Sequence, residues 1–152
     1  MGEKDPPDNV VELRARALRL LARREHTRQE LEQKLSPHAA ASEDLQGLIA
    51  GLTQKNHLSE ERFAEERART LSRKYGAARI RQDLKAKGVS AELISRFTSS
   101  DDELQKARKI LERKYQTPAA TREEKARRMR FLQSRGFSSE IIFKLLSARS
   151  DD

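Results

Sequence analysis

The chain has 152 residues, of which 36% are hydrophobic, 37% charged and 5% aromatic, with no Trp and no Cys, and its net charge is +8. So little apolar and aromatic volume cannot fill a broad core, which argues against a sandwich, a barrel or a doubly wound sheet and for thin helices with wide solvated faces. The excess of base is uneven: residues 1–61 hold 9 basic and 11 acidic side chains, whereas residues 62–152 hold 23 and 13, so the positive field belongs to the later part of the chain.

In chain order, residues 1–11 with Pro6 and Pro7 read as a disordered lead-in. Helical periodicity begins with Leu13, Ala17, Leu20 and Leu21, while Arg16, Arg19 and Arg23 share another stripe. Thr27 and Glu30 form the sequence of a capping box, with Leu31 and Leu35 on the apolar edge and Pro37 beyond. Ser42 is expected to cap a third helix carrying Leu45, Leu48, Ile49 and Leu52, in which Gly47 and Gly51 suggest close helix packing. Ser59 opens the next helix, with Ala64, Ala68 and Leu71 buried and Gly76 as its stop. A short helix with Ile80 and Leu84 ends at Gly88, and Ser90 starts another with Leu93, Ile94 and Phe97. Residues 98–102 read as linker plus cap. Leu104, Ala107, Leu111 and Tyr115 follow, then Ala126, Met129 and Leu132 up to Gly136, and last Ile141, Ile142, Leu145 and Leu146.

Internal repetition organises these helices. Lys87-Gly88-Val89-Ser90-Ala91-Glu92-Leu93-Ile94 returns 48 residues later as Arg135-Gly136-Phe137-Ser138-Ser139-Glu140-Ile141-Ile142. Leu71-Ser72-Arg73-Lys74-Tyr75 returns at an offset of 40 as Leu111-Glu112-Arg113-Lys114-Tyr115. Three units of three helices follow, over residues 12–57, 58–100 and 101–149, with each Gly a left-handed C-cap and each Ser the next N-cap. Units this small are marginal alone, so the expected fold is all-α, an elongated curved array of three tandem repeats that binds along a surface rather than in a pocket. Removing residues 103–152 is then expected to leave the second unit intact.

Catalysis has little to stand on. His26, His38 and His57 fall at helix boundaries and read as exposed cap or loop residues, without partners at metal-ligand spacing. No phosphate loop or nucleophile elbow is visible, and no enzymatic activity or cofactor is expected. Basic stripes remain. Arg81 and Lys85 lie one turn apart with Arg79 and Lys87 beside them, Lys106, Lys109 and Arg113 share a helical stripe, and Arg127 and Arg130 belong to a dense basic run that also holds Arg122, Lys125 and Arg128. A solvated helix face and a surface for an anionic partner both account for each of these residues; the summed excess favours the partner. Phe63, Tyr75, Phe97, Tyr115, Phe137 and Phe143 fall near core spacing, whereas Phe131 is displaced from the edge of Met129 and Leu132 and reads as an exposed anchor.

Leu58-Ser59-Glu60-Glu61-Arg62-Phe63-Ala64, Tyr75-Gly76, Ile80-Arg81, Leu84 and Lys87-Gly88-Val89 resemble the second-repeat signature of the RecX regulatory proteins of bacterial recombination. Arg24-Glu25-His26-Thr27-Arg28-Gln29-Glu30-Leu31 with Lys34-Leu35 is similar to that family's first-repeat pattern. The likeness runs over about residues 12–148; Ser59-Glu60 stands where the family commonly has two acidic residues, a change that keeps the helix cap. The resemblance implies an inhibitor of the RecA recombinase, active in recombination, repair and the SOS response. It would lodge in the groove of the RecA filament on single-stranded DNA and restrain ATP hydrolysis and strand exchange. Candidate recombinase- or DNA-contacting residues are Arg62, Arg69, Arg73, Arg79, Arg81, Lys85, Lys87, Lys106, Lys109, Arg113, Arg127, Arg130 and Phe131. A cytoplasmic monomer is expected, with DNA contact weak, non-specific and made to phosphates, and with no membrane partner because no apolar leader or run of spanning length occurs. A direct, non-specific nucleic-acid-binding helical repeat protein is the alternative.

Overall fold

The computed structural model describes residues 5–99 and 102–147. Among them are nine α-helices and no strand: α1 Val10–Arg23, α2 Arg28–Leu35, α3 Ser42–Gln54, α4 Glu60–Leu71, α5 Ala77–Ala86, α6 Ala91–Phe97, α7 Glu103–Lys114, α8 Arg122–Ser134 and α9 Ser139–Ser147. The chain is all-α, and its helices form three successive groups of three.

Local chemistry sets the helix starts. The Thr27 hydroxyl accepts from the Glu30 N–H at 3.1 Å and the Glu30 carboxylate accepts from the Thr27 N–H at 3.1 Å, closing the capping box. Ser59, Ser90 and Ser138 accept from the third N–H of α4, α6 and α9 at 3.1, 3.3 and 3.2 Å. Some starts differ from expectation. Ser42 is already helical, and Ala41 stands at the cap without a side-chain bond. Asp102 precedes α7 without capping it through its side chain; Asp101 lies outside the described residues. The expected disordered lead-in is held from Asp8 onward: the Asp8 N–H donates to the His38 carbonyl at 2.8 Å and Asn9 forms a capping box with Glu12. Residues 1–4 lie outside the described residues.

Packing divides the chain into two compact units. Among the described residues, one holds 5–64 together with Lys87–Val89; the other holds Glu65–Ala86, 90–99 and 102–147. The first is centred on Leu13, Ala17, Leu31, Leu35, Leu45, Ile49, Leu52 and Leu58, drawn from all three of its early helices. A fully buried Leu or Ile contributes roughly 1.5–3 kcal/mol. The second contains the cluster Ala107, Ile110, Leu111, Leu132, Phe137, Ile142, Leu145 and Leu146.

Gly88 and Gly136 have φ of 89° and 92°, the left-handed conformation expected of C-caps. Each is also a contact point. A Cβ on Gly136 would stand 2.6 Å from the Cβ of Arg79, near the start of α5, and one on Gly88 would stand 2.7 Å from the Gln29 side-chain oxygen, near the start of α2. The corner glycine of one repeat thus sits against the second helix of the repeat before it, which is why both steric freedoms of glycine are used at once. Gly76 differs from expectation: α4 stops at Leu71, and Gly76 instead opens α5, where its N–H donates to the Arg135 carbonyl at 2.6 Å. Gly47 and Gly51 do not pack against another helix, since nothing lies within 4 Å of a Cβ at either.

His26 is not an exposed cap residue. It is 1% exposed, with Nδ1 3.0 Å from the Arg24 carbonyl and Nε2 3.0 Å from Lys34 Nζ. A carbonyl only accepts and an ammonium only donates, so Nδ1 carries the proton and Nε2 accepts. Burial holds the imidazole pKa below its ordinary value of 6.5, with the Arg24 and Lys34 charges adding to the effect against the bond to the Arg24 carbonyl.

Candidate functional site

The second unit brings five of the expected basic residues to one place. Arg69 on α4, Arg73 just after it, and Lys106, Lys109 and Arg113 on α7 line an open groove of about 1100 Å3. Ser72 and Gln105 add neutral donors and acceptors; Asp102 and Glu112 are its acidic members. The five differ in how far they are committed to the fold. Lys106 Nζ lies 2.7 Å from Glu103 and is largely neutralised. Arg113 donates to the Arg73 carbonyl at 2.6 Å, and Arg69 makes a solvent-exposed pair with Glu65 at 3.4 Å. Exposed pairs of that kind contribute little and are easily exchanged for another anion. Lys109 and the head of Arg73 are exposed.

Glu103 ties this end of the unit together. Only 6% exposed, it accepts from the Ala77 N–H at 3.0 Å as well as from Lys106, so a carboxylate on α7 caps the start of α5 in place of the side chain that Gly76 lacks. No local pattern could reveal it, because the two ends are 26 residues apart.

Beside the groove, aromatic rings and cations interleave. Arg79 and Arg135 stand 4.5 and 5.4 Å from the Tyr75 ring, Arg135 and Lys114 both 5.1 Å from Phe131, and Arg128 4.5 Å from Tyr115. Phe131 also meets Tyr115 edge to face at 5.9 Å. It is therefore half-buried packing, not the exposed anchor expected of it. The exposed aromatic is Phe143, 69% accessible, with Met129 at 40%. Phe143 follows Ile142 by one residue, and a helical step of 100° turns it away from the core face.

The other expected residues are scattered or committed. Arg62 donates to Glu25 at 2.8 Å and to the Asn56 carbonyl at 2.8 Å, closing the corner before α4 in the first unit. Arg79 donates to the Ser134 carbonyl at 2.8 Å and Arg81 to the Thr98 carbonyl at 3.4 Å. Lys85 and Lys87 lie at and just past the end of α5, and Arg127 and Arg130 are exposed on α8. None of these seven lines the groove. Among the described residues no group of His, Asp and Glu is arranged to hold a metal ion, and no helix is long and apolar enough to cross a membrane.

Comparison with known proteins identifies the repeats. Three family models match in order: RecX, first three-helix domain, over residues 14–39; second three-helix domain, 59–96; third three-helix domain, 101–146. The chain is 38% identical over 140 residues to the regulatory protein RecX of Chromobacterium violaceum, covering 92% of each chain. It is 39% identical over 138 residues to that of Herbaspirillum seropedicae, covering 90% of each. The crystal structure of RecX from Lactobacillus salivarius superposes with a TM-score of 0.80 at 19% identity, over 94% of this chain and 97% of that one. A second crystal structure of a regulatory protein RecX gives 0.73 at 20% identity, over 91% and 74%.

Proposed function

This chain belongs to the RecX family of regulatory proteins, and we propose that it regulates the RecA recombinase, mainly as an inhibitor, by binding in the groove of the RecA filament on single-stranded DNA. The observation that carries the reading to a place on the molecule is the convergence of Arg69, Arg73, Lys109 and Arg113 on one groove, on a unit whose frame includes a buried inter-repeat cap. In a filament groove such a surface meets phosphates and acidic side chains of neighbouring recombinase subunits, and its engagement opposes the subunit motions that ATP hydrolysis and strand exchange require. The three repeats, over residues 12–57, 58–100 and 101–149, act together as one monomeric, cytoplasmic module.

Contact with DNA alone is weak and salt-dependent in this reading, because phosphate contacts release counterions while no element is built to read base edges. A direct nucleic-acid-binding role shares the basic groove and needs no recombinase. Capture by RecA filaments on single-stranded DNA, compared with DNA alone at the same salt, separates the two. Retention by the filament well beyond that by bare DNA, together with slower DNA-dependent ATP hydrolysis, is expected; equal retention by both would overturn the regulatory reading in favour of the direct one.

A further inference from the structure

The repeated segment that ends in Arg-Lys-Tyr occurs in the second and third repeats, and the fold brings the two copies side by side. Both end their helix in the same way: the Tyr75 N–H donates to the Leu71 carbonyl at 2.9 Å and the Tyr115 N–H to the Leu111 carbonyl at 2.8 Å. The bond from Arg113 to the Arg73 carbonyl, at 2.6 Å, ties one copy to the other. As a result Arg73 and Lys74 from one copy and Arg113 and Lys114 from the other line a single cleft of about 500 Å3, with Arg135 as a fifth cation and no carboxylate among the described residues that line it.

We propose that this doubled Arg-Lys cleft is a phosphate clamp that holds neighbouring phosphodiester groups of a nucleic-acid strand by its cation heads alone. The proposal deepens the reading above by assigning the strand a specific seat, and it rests on that reading for the partner's relevance.

Ordinary helix-end chemistry does not account for the charge. Basic residues commonly complement the partial negative charge of a helix C-terminus, but the three ends here, of α4, α7 and α8, supply only about one and a half negative units between them, against five cations. The heads are also partly fixed in advance. Arg135 stands 5.4 Å from the Tyr75 ring and 5.1 Å from Phe131, and Arg113 is held by the Arg73 carbonyl, so ordering them on binding costs little.

The same geometry selects the class of ligand. Tyr75 and Phe131 each already carry two cations within 5.4 Å of the ring centre, so a base that stacked there would compete with them. An acidic peptide would be held in register by main-chain hydrogen bonds; at the joint the Arg73 carbonyl already accepts from Arg113. A regularly charged backbone recognised by charge is what remains. Arg73 and Arg113 line the wider groove as well, so a strand seated in the clamp continues onto it.

The test uses the full chain and a fluorescently labelled oligothymidylate, without recombinase. Lys74→Gln with Lys114→Gln removes two charges from the clamp; Arg14→Gln with Lys55→Gln removes two from the first unit and serves as the charge-matched control. Thermal melts confirm that both variants fold. The clamp variant is expected to bind about 10-fold more weakly at low salt, with its salt slope smaller by about 1.4, because each phosphate contact on a single strand contributes about 0.7. Equal losses in the two variants would show that only net charge counts and would overturn the clamp. So would poly-glutamate binding that is tighter than DNA binding and lost in the clamp variant, which would assign the cleft to an acidic peptide. ATP hydrolysis by RecA filaments reports on the regulatory reading separately: a wild-type chain that uses the clamp yet fails to inhibit overturns that reading and leaves the clamp standing.

Discussion

His26 is the residue whose surroundings make the sharpest prediction. Its folded pKa lies below 6.5, so protons bind the unfolded chain more readily than the folded one. By linkage, the stability it contributes is fully present above about pH 6.5 and is lost as the pH falls through the lowered folded value. Protonation puts a hydrogen on Nε2, which then faces the Lys34 ammonium instead of accepting from it. Melting temperatures measured from pH 8 down to pH 5 should fall more steeply for the wild type than for His26→Gln; parallel curves would refute the assignment. Glycines make a two-signed prediction. Gly136→Ala meets both a positive φ and a neighbouring backbone and should cost about 1–3 kcal/mol, whereas Gly47→Ala, at an exposed position of α3 with open space beside it, should stabilise by about 0.5–1 kcal/mol. Chemical denaturation of both variants checks the signs.

Among the elements, α7 carries two duties on one face. It supplies Lys109 and Arg113 to the groove, and through Glu103 it caps α5. Glu103→Ala should therefore cost about 1–3 kcal/mol, because it leaves the Ala77 N–H of a buried helix start without its acceptor, while Glu103→Gln keeps an acceptor and should cost less. The same replacement frees Lys106 from its ion pair with Glu103. A Glu103→Gln protein that stays folded should thus bind oligothymidylate more tightly than wild type at low salt, as anisotropy titration would read; unchanged binding would place Lys106 outside the interface.

For the molecule as a whole, the compact units do not coincide with the sequence repeats. α5 and α6 share a unit with the third repeat, joined through Glu103, the Gly76 contact with Gly136, and the bond from Arg113 to Arg73. Removing residues 103–152 would therefore not leave the second repeat intact, contrary to what the sequence spacing suggests, and lost inhibition in such a truncation would report unfolding as well as lost contact. Point variants are the cleaner probe. Reversing Lys109 and Arg69 to Glu should weaken retention on RecA filaments by roughly 10-fold or more with melting changed little, since both heads are exposed and the Arg69 pair with Glu65 is a weak one. Retention equal to wild type would remove the groove from the regulatory reading.

Helix positions, the caps at Thr27, Ser59, Ser90 and Ser138, the left-handed corners at Gly88 and Gly136 and the threefold repeat were legible in the sequence because each depends on residues within a turn or two of one another. The basic character of the later chain was legible for the same reason, since charge is a sum that needs no geometry. What the tertiary structure decided is which charges meet. Arg73 and Arg79 lie six residues apart in the sequence, yet Arg79 donates to the Ser134 carbonyl while Arg73 lines the groove, and Arg62 closes a corner through Glu25. The burial of His26, the half-buried edge contact of Phe131 and the outward turn of Phe143 were settled likewise, by neighbours or by helix rotation rather than by spacing. Hydrogen bonds and ion pairs reach only a few ångströms, so the choice between a structural cation and a binding cation passes to whichever partner folding brings within range.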